Sequence, residues 1–198
     1  IHKSSLAVSA LIAATAVAAP EADRVLEMPE MAVFDFAAYS GYLNVDDNKS
    51  LHYYFAESQN DPADAPLIIW FNGGPGCSSM LAMFQENGPY VMEVDLGAPL
   101  EQLHLDNFAN VLWVDQPAGV GFSTCDQNTN STPGVPDCFS TDNMTGSDNL
   151  VFLQNFLKEY PELKDKDVWI SGESYGGIYV PQLTYNIHMH NQKNRNLN

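Results

Sequence analysis

Val168-Trp169-Ile170-Ser171-Gly172-Glu173-Ser174-Tyr175-Gly176-Gly177 is the stretch that decides the fold. An apolar run leads directly into the pattern G-x-S-x-G. A strand entering that pattern reads as a nucleophile elbow, a sharp strand-to-helix turn that lifts a serine hydroxyl out of the chain. Gly172, Gly176 and Gly177 let strand and helix approach without side-chain clash. Ser174 is therefore a candidate nucleophile for acyl transfer, a weak one unless an adjacent base takes its proton. The competing reading is a glycine-rich strand–helix turn with an inert serine.

Upstream, Pro66 to Phe71 and Asn110 to Asp115 are continuous apolar runs of the kind buried inside an α/β sheet. Tyr39 to Val45 and Leu51 to Glu57 read as two strands joined by the turn Asp46-Asp47-Asn48. Ser58 to Ala65 is a polar loop, Asn72 to Ser79 a Gly/Pro-rich one, and Met80 to Gln85 a short helix. Gln116 to Ser140 forms a long polar loop, and loops of that length tend to be functional or flexible. Thr141 to Tyr160 is helical, with Leu150, Leu153, Phe156 and Leu157 at helical spacing. A further helix follows the elbow. Early antiparallel strands followed by alternating buried strands and helices indicate an α/β architecture.

The bulk numbers exclude several classes. The 198 residues are 45% hydrophobic and 17% charged, enough for one globular domain with a core. Twenty-five acidic against 8 basic side chains give a net charge of −17. That argues against nucleic-acid binding and against adhesion to anionic membranes, because both need clustered Lys and Arg. The acidity reads first as a soluble surface. No metal and no cofactor is expected.

The N-terminus resembles a processing signal. His2 and Lys3 precede a small, apolar run from Leu6 to Val17, and Ala16-Val17-Ala18 is an A-x-A cleavage pattern. Residues 1–19 are thus expected to be a signal peptide, the alternative being a buried helix. Residues 20–38 are expected to be a short propeptide or a disordered arm, and 39–198 the folded part. The first residue is Ile, not Met, so the sequence is expected to start inside a reading frame. An exported protein can hold disulfides. Cys125 and Cys138 flank a polar loop that they could close. Cys77 is then left over, either as a free buried thiol or with a partner in absent sequence. Asn48, Asn130 and Asn143 each begin a glycosylation tripeptide.

A second constellation, Trp70-Phe71-Asn72-Gly73-Gly74-Pro75-Gly76-Cys77-Ser78-Ser79, follows a buried strand where a hydrolase of this type supplies one oxyanion donor. A glycine there lets a backbone N–H approach a developing oxyanion. Trp70 to Ser79, Glu86-Asn87-Gly88-Pro89-Tyr90, Asn110 to Ser123 and Gly172 to Pro181 together resemble the serine carboxypeptidase family (S10) in order and spacing, from about Ser40 to about Leu183. The resemblance implies an α/β-hydrolase fold, incomplete here, running from its first strands through the elbow. It implies Ser174 as nucleophile, and Gly74 and Tyr175 as backbone oxyanion donors. It implies that Asn72 and Glu173, with the amide of Gly73, hold the substrate's terminal carboxylate, supported by Trp70 and Glu86. It also implies that Cys77 pairs with a downstream cysteine.

The chemistry of that carboxylate site is unusual. An exopeptidase must hold a negative terminus, and here carboxyl groups take the place of Arg. Glu173 helps only when protonated, since only then does it donate a hydrogen bond. Glu86 nearby disfavours ionisation of both and raises one pKa. Peptide hydrolysis is therefore expected to be best in acid. Asp115 is read as structural, and His52 and His104 as surface or packing residues.

The α/β-hydrolase order is Ser, then Asp or Glu, then His, yet no Asp or Glu follows Ser174 in this sequence. His188 and His190 do follow, but on the helix leaving the elbow, where a rise of ~1.5 Å per residue puts His188 about 21 Å from Ser174. The sequence is expected to be the N-terminal portion of a longer enzyme, inactive alone and with an open hydrophobic sheet edge. Its expected partner is a peptide or protein C-terminus, with no nucleic acid and no membrane span, and a homodimer stays open. The expected location is the secretory pathway, secreted or vacuolar/lysosomal. Two other functions remain in view: an acyltransferase on the same scaffold, and a non-catalytic isoform acting as a binding partner.

Overall fold

The computed structural model describes residues 19–29, 35–90, 104–125 and 138–195. The signal-peptide reading, apart from Ala19, and the glycosylation tripeptide at Asn130 lie outside the described residues.

The strands in chain order are β1 (Arg24–Val25), β2 (Ala38–Asn44), β3 (Lys49–Ala56), β4 (Leu67–Phe71), β5 (Asn110–Val114), β6 (Thr124–Cys125) and β7 (Val168–Gly172). The helices are α1 (Met80–Gln85), α2 (Asp142–Glu159) and α3 (Gly176–Arg195). One mixed sheet has the order β1-β2-β3-β5-β4-β7, with β6 paired to the start of β3. β2, β3 and β5 run antiparallel to one another in turn, whereas β5, β4 and β7 are parallel. The three parallel strands therefore end on the same side, and Asn72, Asp115 and Glu173 follow those ends. In open α/β sheets that edge is where ligands bind.

Burial follows strand position. β5, in the middle, is buried at every residue, as a strand covered on both faces must be. Its alternate side chains serve two cores. On one face Tyr53, Phe55, Ile69, Phe71, Leu112 and Val114 pack against Phe152, Phe156, Tyr179 and Leu183 of α2 and α3. On the other, Tyr54, Ala56, Val111 and Trp113 meet Met80, Ala82 and Met83 of α1. The first core is centred on aromatic rings: Phe156 lies over Tyr160 at 4.4 Å and meets Phe55 edge-on at 5.4 Å.

Helix α2 begins where Thr141 Oγ1 accepts the Met144 N–H, with Asp142 in the first turn and Lys158 in the last, both favourable to the helix dipole. The strands and helices expected from the pattern are present within a residue or two, and α1 has the expected bounds. Two parts of the chain are more ordered than their composition suggests. Within 20–38, Glu21–Asp23 is a 3-10 turn and β1 pairs with β2. Tyr53 donates its hydroxyl to Asp23 at 2.7 Å, and Arg24 lies over the Tyr39 ring at 5.1 Å. Residues 21–25 are docked on the sheet rather than free. Within 116–140, β6 pairs with Lys49 and Ser50, and the Cys125–Cys138 disulfide closes the loop.

β7 is the last strand in the sheet order. Trp169 is 62% exposed there, and Ile178 and Tyr185 of α3 are also open to solvent. The expected open apolar edge is thus present among the described residues. No helix among them is long and apolar enough to cross a membrane.

Candidate active site

The elbow has the backbone its sequence calls for. Ser174 takes φ +52°, a left-handed conformation uncommon for a residue with a side chain. It is exposed, and it lies between β7 and the first turn of α3. The Gly176 N–H donates to the Glu173 carbonyl at 2.6 Å and the Gly177 N–H to the Ser174 carbonyl at 3.0 Å, which tightens the turn.

The loop after β4 is pressed onto this turn. A Cβ on Gly73 would come within 2.5 Å of the Tyr175 amide nitrogen and 2.9 Å of Ser174 Cβ. Only glycine allows that approach. Gly74, next in the chain, is exposed and takes φ +110°. The loop closes on itself through the Cys77 N–H, which donates to the Gly73 carbonyl at 3.0 Å. Gly73, Gly74 and the Tyr175 amide thus lie beside Ser174.

Glu173 and Tyr175, on either side of Ser174, make different attachments. Asn72 Nδ2 donates to Glu173 Oε1 at 3.2 Å, while Trp70 Nε1 donates to Asn72 Oδ1 at 2.9 Å. The Asn72 side chain also bonds Glu86, which is half-buried at the end of α1. Burial, and then the charge of Glu173, push the Glu86 carboxyl above the ordinary range, against the hydrogen bond from Asn72. On the opposite flank the Tyr175 hydroxyl donates to Asp142 Oδ1 at 3.0 Å, at the start of α2, and its ring meets Tyr179 at 5.2 Å. All of Trp70, Asn72, Gly73, Gly74, Glu86, Glu173, Ser174 and Tyr175 are brought to one place.

The histidines are elsewhere. His188 pairs with Gln192, and His190 with Gln154 and Asn194, along α3. A His104 ring nitrogen donates to the Gly88 carbonyl at 2.8 Å. His52 is not at the surface: it is buried, with Nδ1 3.1 Å from Asp115 Oδ2 and Nε2 3.0 Å from Ser40 Oγ. Among the described residues no histidine bonds Ser174.

Asp115 is fully buried and accepts from Ser78, Ser79, Phe122 and His52, so its structural reading holds. Cys77 has no disulfide partner among the described residues and is exposed rather than buried, because it lies on the outer side of the loop over the elbow. Asn48 is exposed at the tip of the β2–β3 hairpin; Asn143 is exposed on α2, where its Oδ1 accepts from Gln182 at 2.6 Å. The sequence did not reveal His52 as Asp115's partner, nor Ser78, Ser79 and Asp142 as supports of the site. Ser78 and Ser79 directly follow the Gly/Pro-rich loop, which is a usable signal; no local pattern ties His52 to Asp115.

A serine on a left-handed strand–helix turn, with a glycine loop from the neighbouring parallel strand against it, is the elbow arrangement of the α/β-hydrolase fold. The serine carboxypeptidase profile matches residues 29–198, and the chain belongs to the serine carboxypeptidase family. It is 41% identical over 169 residues to the lysosomal protective protein of Mus musculus, covering 84% of this chain and 34% of that protein. It is 40% identical over 187 residues to serine carboxypeptidase ctsa-4.1 of Caenorhabditis elegans, covering 89% and 36%. A vacuolar serine-type carboxypeptidase of Saccharomyces cerevisiae matches at 36% identity, covering 83% and 30%. The crystal structure of Kex1(delta)p, a prohormone-processing carboxypeptidase from Saccharomyces cerevisiae, superposes with a TM-score of 0.63 at 30% identity, covering 79% of this chain and 35% of that one. The chain spans about a third of the length of these relatives.

Proposed function

We propose that a protein containing this chain is a serine-type carboxypeptidase that removes C-terminal residues from peptides through an acyl-enzyme on Ser174. The observation that carries the reading is the Asn72–Glu173–Glu86 cluster beside Ser174. A nucleophile alone fits any hydrolase of this fold. A nucleophile flanked by two carboxyls and an amide fits one that must hold a free terminal carboxylate.

In this reading Ser174 Oγ attacks the carbonyl of the last peptide bond, the Gly74 and Tyr175 amides stabilise the oxyanion, and the terminal residue departs as an amino acid. Water then releases the acyl group. Asn72, the Gly73 amide and Glu173 hold the terminal carboxylate, with Glu86 and Trp70 supporting them. A Glu86 carboxyl that stays neutral to higher pH suits an acidic compartment, in keeping with a route through the secretory pathway to a vacuole, a lysosome or the exterior. Asn48 and Asn143 are proposed glycosylation sites on that route. Nucleic acid and anionic membrane remain poor partners for so acidic a chain. The same cluster favours the peptidase over an acyltransferase, whose acyl donor needs no free carboxylate.

The test is labelling of the full-length protein with a serine-directed organophosphate, with Ser174→Ala as control, followed by hydrolysis of a blocked dipeptide and of an ester lacking a terminal carboxylate. Labelling that survives Ser174→Ala, or a labelled enzyme that cleaves only the ester at every pH, removes this reading.

A further inference from the structure

Beneath the loop over the elbow lies a buried polar string that takes no part in the chemistry described above. Ser79 is fully buried. Its Oγ accepts the Asn72 N–H at 3.1 Å and donates to the Val114 carbonyl at 2.6 Å. Its own N–H donates to Asp115 Oδ1 at 3.0 Å, as does Ser78 Oγ at 2.5 Å. The other carboxylate oxygen accepts from the Phe122 N–H at 3.0 Å and faces His52 Nδ1 at 3.1 Å. A carboxylate accepts about four hydrogen bonds, so the Asp115 shell is full.

Ser40, His52 and Asp115 have the serine–imidazole–carboxylate order of a catalytic triad. Their setting rules that use out. Ser40 is in mid-strand, paired with Tyr54, and the rings of Tyr42 and Phe122 close over the imidazole at 5.3 and 5.1 Å. No strand–helix turn lifts Ser40 toward a substrate. The string leads inward, to the base of the loop that touches the elbow.

We propose that Asp115 is a positioning residue for the reaction at Ser174, acting through Ser78 and Ser79 on the loop Asn72–Gly74. The path is continuous. Asp115 fixes Ser78 and Ser79; Ser79 Oγ fixes the backbone of Asn72; Asn72 reaches Glu173, and Gly73 rests on the Tyr175 amide. His52 and Phe122 hold the carboxylate from the far side. A displacement of about 1 Å in such a loop lowers turnover roughly a hundredfold, because the oxyanion donors and the reacting carbonyl lose register.

The inference rests on the proposed carboxypeptidase reading for its kinetic arm only. Asp115→Asn keeps the volume but sets an amide NH2 against N–H donors, and Ser78→Ala removes, from a half-buried position, the bond to Asp115 together with the one that Ser78 Oγ accepts from the Met80 N–H at 3.2 Å. Both are made in the full-length protein. Hydrogen exchange reads the loop without any activity: exchange at Asn72 and Ser79 is expected to rise at least about tenfold while the β4 and β5 ladder amides stay protected. Kinetics are read per organophosphate-titrated site on the ester, so misfolded enzyme is not counted. There kcat is expected to fall about tenfold or more with KM nearly constant, and Ser78→Thr is expected to restore it. Unchanged exchange at Asn72 and Ser79 in both variants overturns the proposal whether or not the wild type turns over. Raised exchange with unchanged kcat per titrated site overturns it too. A wild type without turnover overturns the carboxypeptidase reading alone.

Discussion

Asn72 Nδ2 donates to Glu173 Oε1 at 3.2 Å, joining residues 101 apart in sequence at the ends of two adjacent parallel strands. The bond orients one carboxyl oxygen of Glu173 and leaves the other for a ligand. With Glu86 on the same amide, two acids and one neutral donor share a small space, and their protonation decides what they hold.

The pH dependence of peptide cleavage follows. Burial and the charge of Glu173 raise the Glu86 carboxyl above its ordinary value, so it stays neutral to higher pH than a surface glutamate. As pH rises through that value the cluster gains negative charge and repels a terminal carboxylate. Peptide kcat/KM is expected to fall with rising pH while ester hydrolysis is affected less. Glu86→Gln should flatten that fall; a pH profile that does not move in this variant counts against the cluster's role.

Gly73→Ala is a steric test of the oxyanion loop. Its Cβ would be placed 2.5 Å from the Tyr175 nitrogen and 2.8 Å from the Glu173 carbonyl oxygen, so the loop must lift from the elbow. Loss of a positioned oxyanion donor lowers kcat about 10²–10³-fold. Ester kinetics on the full-length variant, with circular dichroism to verify the fold, measure it.

The backbone of Ser174 stores strain. A non-glycine residue at its φ of +52° costs roughly 1–2 kcal/mol, part of which glycine returns to the flexibility of the unfolded chain. Ser174→Gly is expected to be about 1 kcal/mol more stable than Ser174→Ala, although neither has a nucleophile. Paired thermal melts decide it; an alanine variant that is the more stable of the two would show that the turn is relaxed.

Phe156 is fully buried in the aromatic core between α2 and β3. Phe156→Ala leaves a void among Tyr53, Phe55 and Tyr160 and is expected to cost about 3–5 kcal/mol in chemical denaturation.

Asp115 links stability to acidity. Burial pushes its carboxyl up, but the hydrogen bonds from His52, Ser78 and Phe122 outweigh burial and hold it below the ordinary range. Its folded pKa is thus lower than the unfolded value of ~3.9. The stabilisation is present above about pH 4 and is lost as pH falls through the depressed folded value. Acid unfolding followed by circular dichroism should lose this component in Asp115→Asn.

Much of this was legible in the sequence because it is local. The apolar runs 66–71 and 110–115 became β4 and β5, and the glycine spacing around Ser174 became the elbow. The loop Asn72–Gly74 was legible because only glycine tolerates the approach of Gly73 to the Tyr175 amide. What escaped notice depends on sheet order. His52 meets Asp115 because β3 lies beside β5, although the two residues are 63 positions apart in sequence. β1 and β6 have two residues each and exist through their partners on β2 and β3, not through a period of their own. The cysteine count left Cys77 either as a buried thiol or with a partner in absent sequence; the turn from Gly73 to Cys77 carries it outward, which removes the first.

β7 leads to Ser174 and is also the last strand in the sheet order among the described residues, with Trp169 open to water. A bare strand edge offers unpaired N–H and C=O groups to any extended chain that meets it. The five residues that lead to Ser174 are therefore also those through which this polypeptide, handled by itself, would stack into aggregates. The proposed chemistry and the colloidal behaviour are bound to the same strand.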